Sequence, residues 1–141
     1  MRFTVLIRLN WFKIFRNSII LFVSQTAIST SATVIFGYPS GETAFVTQWY
    51  IGVYTTTSIV ACCTYIFMTV DNPKDPYLHA LTSTILGILY GFGFLSIVLG
   101  VSFILSSWLL NVLSSFLTVV VMIVGVEFGI RIAARKRTSV M

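Results

Sequence analysis

Glu127 is the residue of this sequence with the most chemistry to offer: a carboxylate four positions before Arg131, inside a run otherwise built of Val, Ile, Met, Phe and Gly. A carboxylate held in hydrocarbon marks an ion or proton pathway, or it is paired with a cation. The i, i+4 spacing places Arg131 one helical turn away, so an ion pair between Glu127 and Arg131 is the expected arrangement, with ion or proton coupling as the competing one. His79 has no second His, Cys or carboxylate at ligand spacing, and metal or haem sites need several convergent ligands. A solvated or capping role is expected for it. Asp71 and Asp75 lie in the stretch DNPKDP, where Asp-Pro turn chemistry accounts for both. Cys62 and Cys63 are adjacent, which suits neither a structural disulfide nor a CxxC site, and they read as small packing residues. No nucleophile set, phosphate loop or metal cluster is present, so neither catalysis nor any cofactor is expected.

A second group of candidates is polar but uncharged. Gln25, Ser29 and Thr33 follow helical spacing in one apolar run, and Thr55, Ser58 and Cys62 do so in the next. Two such faces could line a polar path. The alternative is that each side chain bonds back to its own helix or across to a neighbour.

The elements that must position these residues are membrane spans. From Tyr77 to Val126 about 50 residues pass without a formal charge, roughly 75 Å as one helix and more than twice the roughly 30 Å of a bilayer's hydrocarbon. The run must fold back, and Ser106, Ser107 and Trp108 mark the place. Of the 141 residues 57% are hydrophobic and only 9% charged, far below the roughly one quarter charged of a soluble domain. The expected fold is an all-α integral membrane four-helix antiparallel bundle, with spans near 18–36, 49–70, 77–101 and 108–132 in one domain and a basic tail over 133–141. GYPSGET and DNPKDPY supply the turn residues between spans, with Asp75 and Pro76 opening the third helix as N-cap and first-turn proline.

Residues 1–17 carry Arg2, Arg8, Lys13 and Arg16 among large apolar side chains. At 100° per residue Phe3, Ile7, Trp11, Ile14 and Phe15 share one side and Arg2, Lys13, Arg16 and Asn17 the other, the make-up of an interfacial amphipathic helix. The start of a longer first span is the alternative, and a cleaved signal peptide a third reading not favoured here.

With both termini on one side, that side receives all nine Lys and Arg, including Lys74 in the middle connection. Both termini are therefore expected in the cytoplasm, the basic ends against anionic headgroups. A bacterial inner membrane is the expected location, with an organelle as the alternative. The net charge of +5 is accounted for by lipid, and nucleic acid is not an expected partner.

Lipid gives helices no hydrophobic reason to associate, so small residues mark their contacts. In the third span Ser83, Gly87 and Gly91 lie on one side, and Gly93, Ser96 and Gly100 on another. In the fourth, Asn111, Ser115, Thr118, Gly125 and Gly129 form one stripe. Internal packing and an intermolecular interface both use such patterns. The expected function is a non-catalytic polytopic protein packing against a membrane-protein partner or itself, as accessory subunit, assembly factor or immunity-type inhibitor. The alternative is a small oligomeric transporter or channel lined by the polar faces of spans 1 and 2.

Overall fold

The computed structural model of the chain describes residues 10–36, 43–72, 74–99 and 108–138, apart from the side chains of 43–46, 95, 99, 108–111 and 137–138. Its elements are four α-helices: α1 (Trp11–Phe36), α2 (Thr43–Asp71), α3 (Pro76–Leu99) and α4 (Trp108–Thr138). No strand occurs among the described residues. All four are long and apolar enough to cross a membrane, which makes the chain a multi-pass helical membrane protein. In lipid each backbone donor and acceptor must be satisfied within the element, and unbroken helices do that.

The helices begin and end where local chemistry directs. Asn10 caps α1: its Oδ1 accepts from the Lys13 amide at 3.1 Å, using one of the orphan donors of the first turn. α1 thus starts at Trp11, seven residues before the boundary expected from hydropathy, and Trp11 to Asn17 continue directly into the first span. Residues 1–9 lie outside the described residues. The sided arrangement expected for this stretch also differs: Ile14 and Asn17 are buried, while Trp11, Phe12 and Phe15 point outward. Lipid, unlike water, solvates the aromatic side and leaves the polar amide to the protein interior. α2 closes at Asp71, with the Asn72 amide donating to the Met68 carbonyl. Asp75 takes a φ of 50°, a region that a short polar side chain tolerates, and Pro76 opens α3 as expected.

The helices alternate in direction. α1 and α4 occupy opposite corners, each packed on both α2 and α3, and α2 touches α3 across the middle. The end carrying Asn10, Asp71, Pro76 and Thr138 is called the basic end below. The buried core lies towards it: Leu21, Ala61, Tyr65, Met68, Ala80, Met122 and Val126 form one cluster. Ser18 and Ser83 are fully buried where α1 meets α3, and both hydroxyls donate to the Ile14 carbonyl, at 2.7 Å and 3.4 Å.

Candidate functional site: a polar chamber away from the basic end

Beyond Ala61 and Val121 the helices separate around a chamber of about 640 Å³ that all four help to line. Gln25, Ser29 and Thr33 face it from α1, Ser58 from α2 and Thr118 from α4, with Gly91 in the α3 wall. The path expected from the sequence is therefore assembled in part. Thr55 and Cys62 instead line a second, largely apolar groove of about 570 Å³ on the other side of the α2–α4 contact, with Ser58 shared between the two.

Three hydroxyls of the wall are committed to their own helices. Thr26, Thr33 and Thr118 donate to the carbonyls of Phe22, Ser29 and Ser114 at 2.9 Å each. Their protons are used by their own helices, so what they offer a ligand is lone pairs. Three groups are less settled. Trp49 Nε1 and Thr57 Oγ1 are buried without a protein partner, and the half-buried Gln25 amide forms no hydrogen bond among the described residues. All three belong to residues of the chamber wall. Tyr50 and Tyr54 stack with centroids 6.0 Å apart, and Tyr54 reaches Ser114 of α4 by a hydrogen bond. Among the described residues, no Lys, Arg, Asp, Glu or His lines the chamber.

On the side of the basic end the chamber has a packed floor. The Tyr65 hydroxyl lies 2.6 Å from Thr84 Oγ1, joining α2 to α3 through two buried side chains, and Thr84 also donates to the Ala80 carbonyl. Gly125 and Gly129 let α4 close onto α2. A Cβ at Gly125 would sit 2.7 Å from Tyr65 Cβ, and one at Gly129 2.6 Å from Thr69 Cβ. Gly87 lies against Ser18 and Leu21 of α1, whereas Gly91 and Gly93 have open space. Ser96 bonds to the Phe92 carbonyl, and Ser115 is half-buried. Gly100 and the side chain of Asn111 lie outside the described residues.

Polar contacts tie the helices together at the basic end. Asp71, closing α2, holds Lys13 Nζ at 3.0 Å and Arg16 Nη2 at 3.3 Å, and Lys13 also donates to the Asp71 carbonyl. His79 is buried rather than solvated. Its Nε2 accepts from the Asn10 amide at 3.1 Å, so a ring on α3 caps the helix on α1. That role leaves the proton on Nδ1, which lies 3.2 Å from the Asp75 carbonyl. Glu127 takes a hydrogen bond from the Tyr77 hydroxyl, an α4–α3 tie in place of the expected Arg131 pair. Tyr77 sits across the interface, whereas Arg131 is exposed on the same helix.

Compared with known proteins, the chain matches no family model, no curated protein and no solved structure.

Sequence reasoning missed the Asn10 cap, although an Asn immediately before an apolar helical run is an N-terminal signal. The pairing of Tyr65 with Thr84 left no mark in the sequence, because pairing between helices is not a periodic property. The place of Trp49 in the chamber wall had no signal in spacing.

Proposed function

We propose that the chain is a small, non-catalytic transporter-type membrane protein that binds an uncharged solute in this chamber. The observation that carries the reading is the convergence of Gln25, Ser29, Thr33 and Ser58 on one partly open space, beyond the packed core near the basic end. The volume lies within the roughly 300–1,000 Å³ range of ligand pockets. Lys13, Arg16, Lys74, Arg131, Arg135 and Lys136 belong to the opposite end, which supports a cytoplasmic basic end against anionic headgroups and a chamber facing the other side. In this reading the Asp71, His79 and Tyr77 ties hold the cytoplasmic end shut, and transport requires them to part.

Flux into proteoliposomes of a panel of uncharged solutes, glycerol, urea and hexoses among them, tests the proposal. At least one solute is expected to enter tenfold faster than into protein-free liposomes, and Gln25→Leu to remove most of that gain. Absence of flux for every solute, with none retained by the purified protein, would sink it.

The open space over Gly93 favours a second reading, in which its side of α3, with Ser96, seats a membrane-protein partner or another copy of the chain. A protein that is monomeric in mild detergent and yields no crosslinked partner would count against it.

A further inference from the structure

We infer that the corner where α1 begins and α2 ends binds one anionic phospholipid, its phosphate on Lys13 and Arg16 and its chains against Trp11, Phe12 and Phe15. This goes beyond a general attraction of the basic end for headgroups, because it names a single site of fixed composition. It is independent of the solute-binding reading. Charge is the first argument. Lys13 Nζ and Arg16 Nη2 converge on the same oxygen, Asp71 Oδ2, at 3.0 Å and 3.3 Å. Two cations therefore share one carboxylate, and among the described residues no other acid pairs with either. A positive charge is left over at the edge of the hydrocarbon, where a counter-anion is the missing partner.

Hydrogen bonding agrees with charge. Lys13 gives two of its three donors to Asp71, one to the carboxylate and one to the carbonyl. Arg16 gives Nε to Asn17 Oδ1 and Nη2 to Asp71, which leaves Nη1 open. The two side chains are 28% and 40% exposed, so the remaining donors can be reached. A guanidinium with a free edge beside an ammonium matches the oxygens of a phosphodiester, whose single negative charge balances the corner. The flanking residues decide between a lipid and a free phosphate. At about 100° per residue the outward side of α1 runs in the order Trp11, Phe15, Phe12, Arg16, Lys13, so rings pass directly into cations. Ile14, Asn17, Ser18 and Leu21 take the rest of the circumference and are buried. Phe12 is 78% exposed, and Trp11 and Phe15 point outward with their rings 6.4 Å apart. Rings adjoining cations at the headgroup level suit a molecule that carries acyl chains beneath its phosphate. A soluble phosphate would make no use of them.

The test is native mass spectrometry of the full chain released from phosphatidylcholine nanodiscs that contain a small fraction of phosphatidylglycerol. One phosphatidylglycerol per chain is expected, enriched at least tenfold over phosphatidylcholine. Lys13→Gln combined with Arg16→Gln should cut that enrichment at least fivefold. Arg135→Gln combined with Lys136→Gln, the same loss of charge at the end of α4, should change it less than twofold. Phe12→Glu, at an outward position one turn from Arg16, adds a competing carboxylate away from the core and should also cut enrichment at least fivefold, so the test does not depend on the first pair folding. Equal losses from the two cation pairs, several phosphatidylglycerols bound with no first one preferred, or indifference to Phe12→Glu overturns the site. A parallel arm offers glycerol 1-phosphate to the protein in pure phosphatidylcholine, where none should be retained. Its retention at the level of the lipid overturns the lipid and assigns the cations to a soluble phosphate.

Discussion

Replacing Gly125 and Gly129 by alanine tests the contact between α2 and α4 most directly. An alanine Cβ at Gly125 would lie 2.7 Å from Tyr65 Cβ and 3.0 Å from the Cys62 carbonyl oxygen; at Gly129 it would lie 2.6 Å from Thr69 Cβ and 3.0 Å from the Ile66 carbonyl oxygen. Ordinary contact begins near 3.4 Å, so the shortfall is about 0.7–0.8 Å at each site. Thr69 Cγ2 aside, the atoms met are Cβ and main-chain atoms, which no change of rotamer moves away. The helices must therefore separate, and the buried Tyr65, Thr69 and Val126 lose contact with them. Overpacking of a well-packed interface costs about 1–3 kcal/mol per site. Alanine offsets under about 1 kcal/mol of this through its better helix propensity.

Gly93→Ala is the control: its Cβ meets nothing within 4 Å, and its stability should be equal to wild type or higher. Unfolding in mixed micelles at increasing dodecyl sulfate should show Gly125→Ala and Gly129→Ala each less stable by at least about 1 kcal/mol. The double variant should show less than the sum of the two losses, because one retreat of α4 relieves both clashes. The loss should not vary with protein concentration, since the contact lies within one chain. Gly125→Ala unfolding alongside Gly93→Ala would refute the packing argument. A loss that deepens on dilution would show the glycines to be working between molecules.

Two further perturbations address the basic end. His79→Ala leaves the exposed Asn10 amide to water and should cost about 0.5–1.5 kcal/mol; amide exchange should quicken at Asn10 and the first turn of α1, and His79→Gln should restore part of the protection. Asp71→Asn frees Lys13 and Arg16, but the side chains are 28–40% exposed, so solvent screening holds the loss below about 1 kcal/mol. The difference from wild type should shrink in 1 M salt, and a salt-independent loss would contradict an electrostatic origin.

The four spans were legible because the pattern that encodes them is long and unambiguous: hydrocarbon tolerates helices, and the charges of this sequence fall in the connections and towards the two ends of the chain. What was not legible has a common physical cause. Periodicity tells which residues share a face, but not which helix that face meets. The stripe through Gly125 and Gly129 was evident, yet its seat on Cys62, Tyr65 and Thr69 depended on the bundle's order. Glu127 was matched with Arg131 because i, i+4 neighbours are visible in sequence, while Tyr77, 50 residues away, is a neighbour only in the fold. Residues 1–17 illustrate the opposite error. Segregating polar from apolar side chains presumed water on the polar side, whereas Asn17 turns its amide to the protein and Phe12 turns its ring outward.

The same interface that closes the core also accounts for the chamber. Along α2 and α4 the meeting residues change in size from one end to the other. Near the basic end a glycine faces Cys62 and Tyr65, and a second faces Thr69, so the main chains come close enough for added methyl groups to collide. Four turns away, Tyr50 and Tyr54 stand on α2 opposite Ser114 and Leu117 of α4. Two rings stacked along one helix cannot interdigitate as glycines do, and they act as a spacer. Phe22 does the same between α1 and α3, with Phe94 5.7 Å and Tyr90 6.4 Å from its ring centre. Small residues near the basic end let the helices meet closely, and aromatic rings farther along hold them apart. The space is lined in part by hydroxyls because Ser29, Thr30 and Thr33 of α1 and Thr57 and Ser58 of α2 lie on its side. A cavity built this way is a consequence of side-chain volume and needs no missing element to explain it.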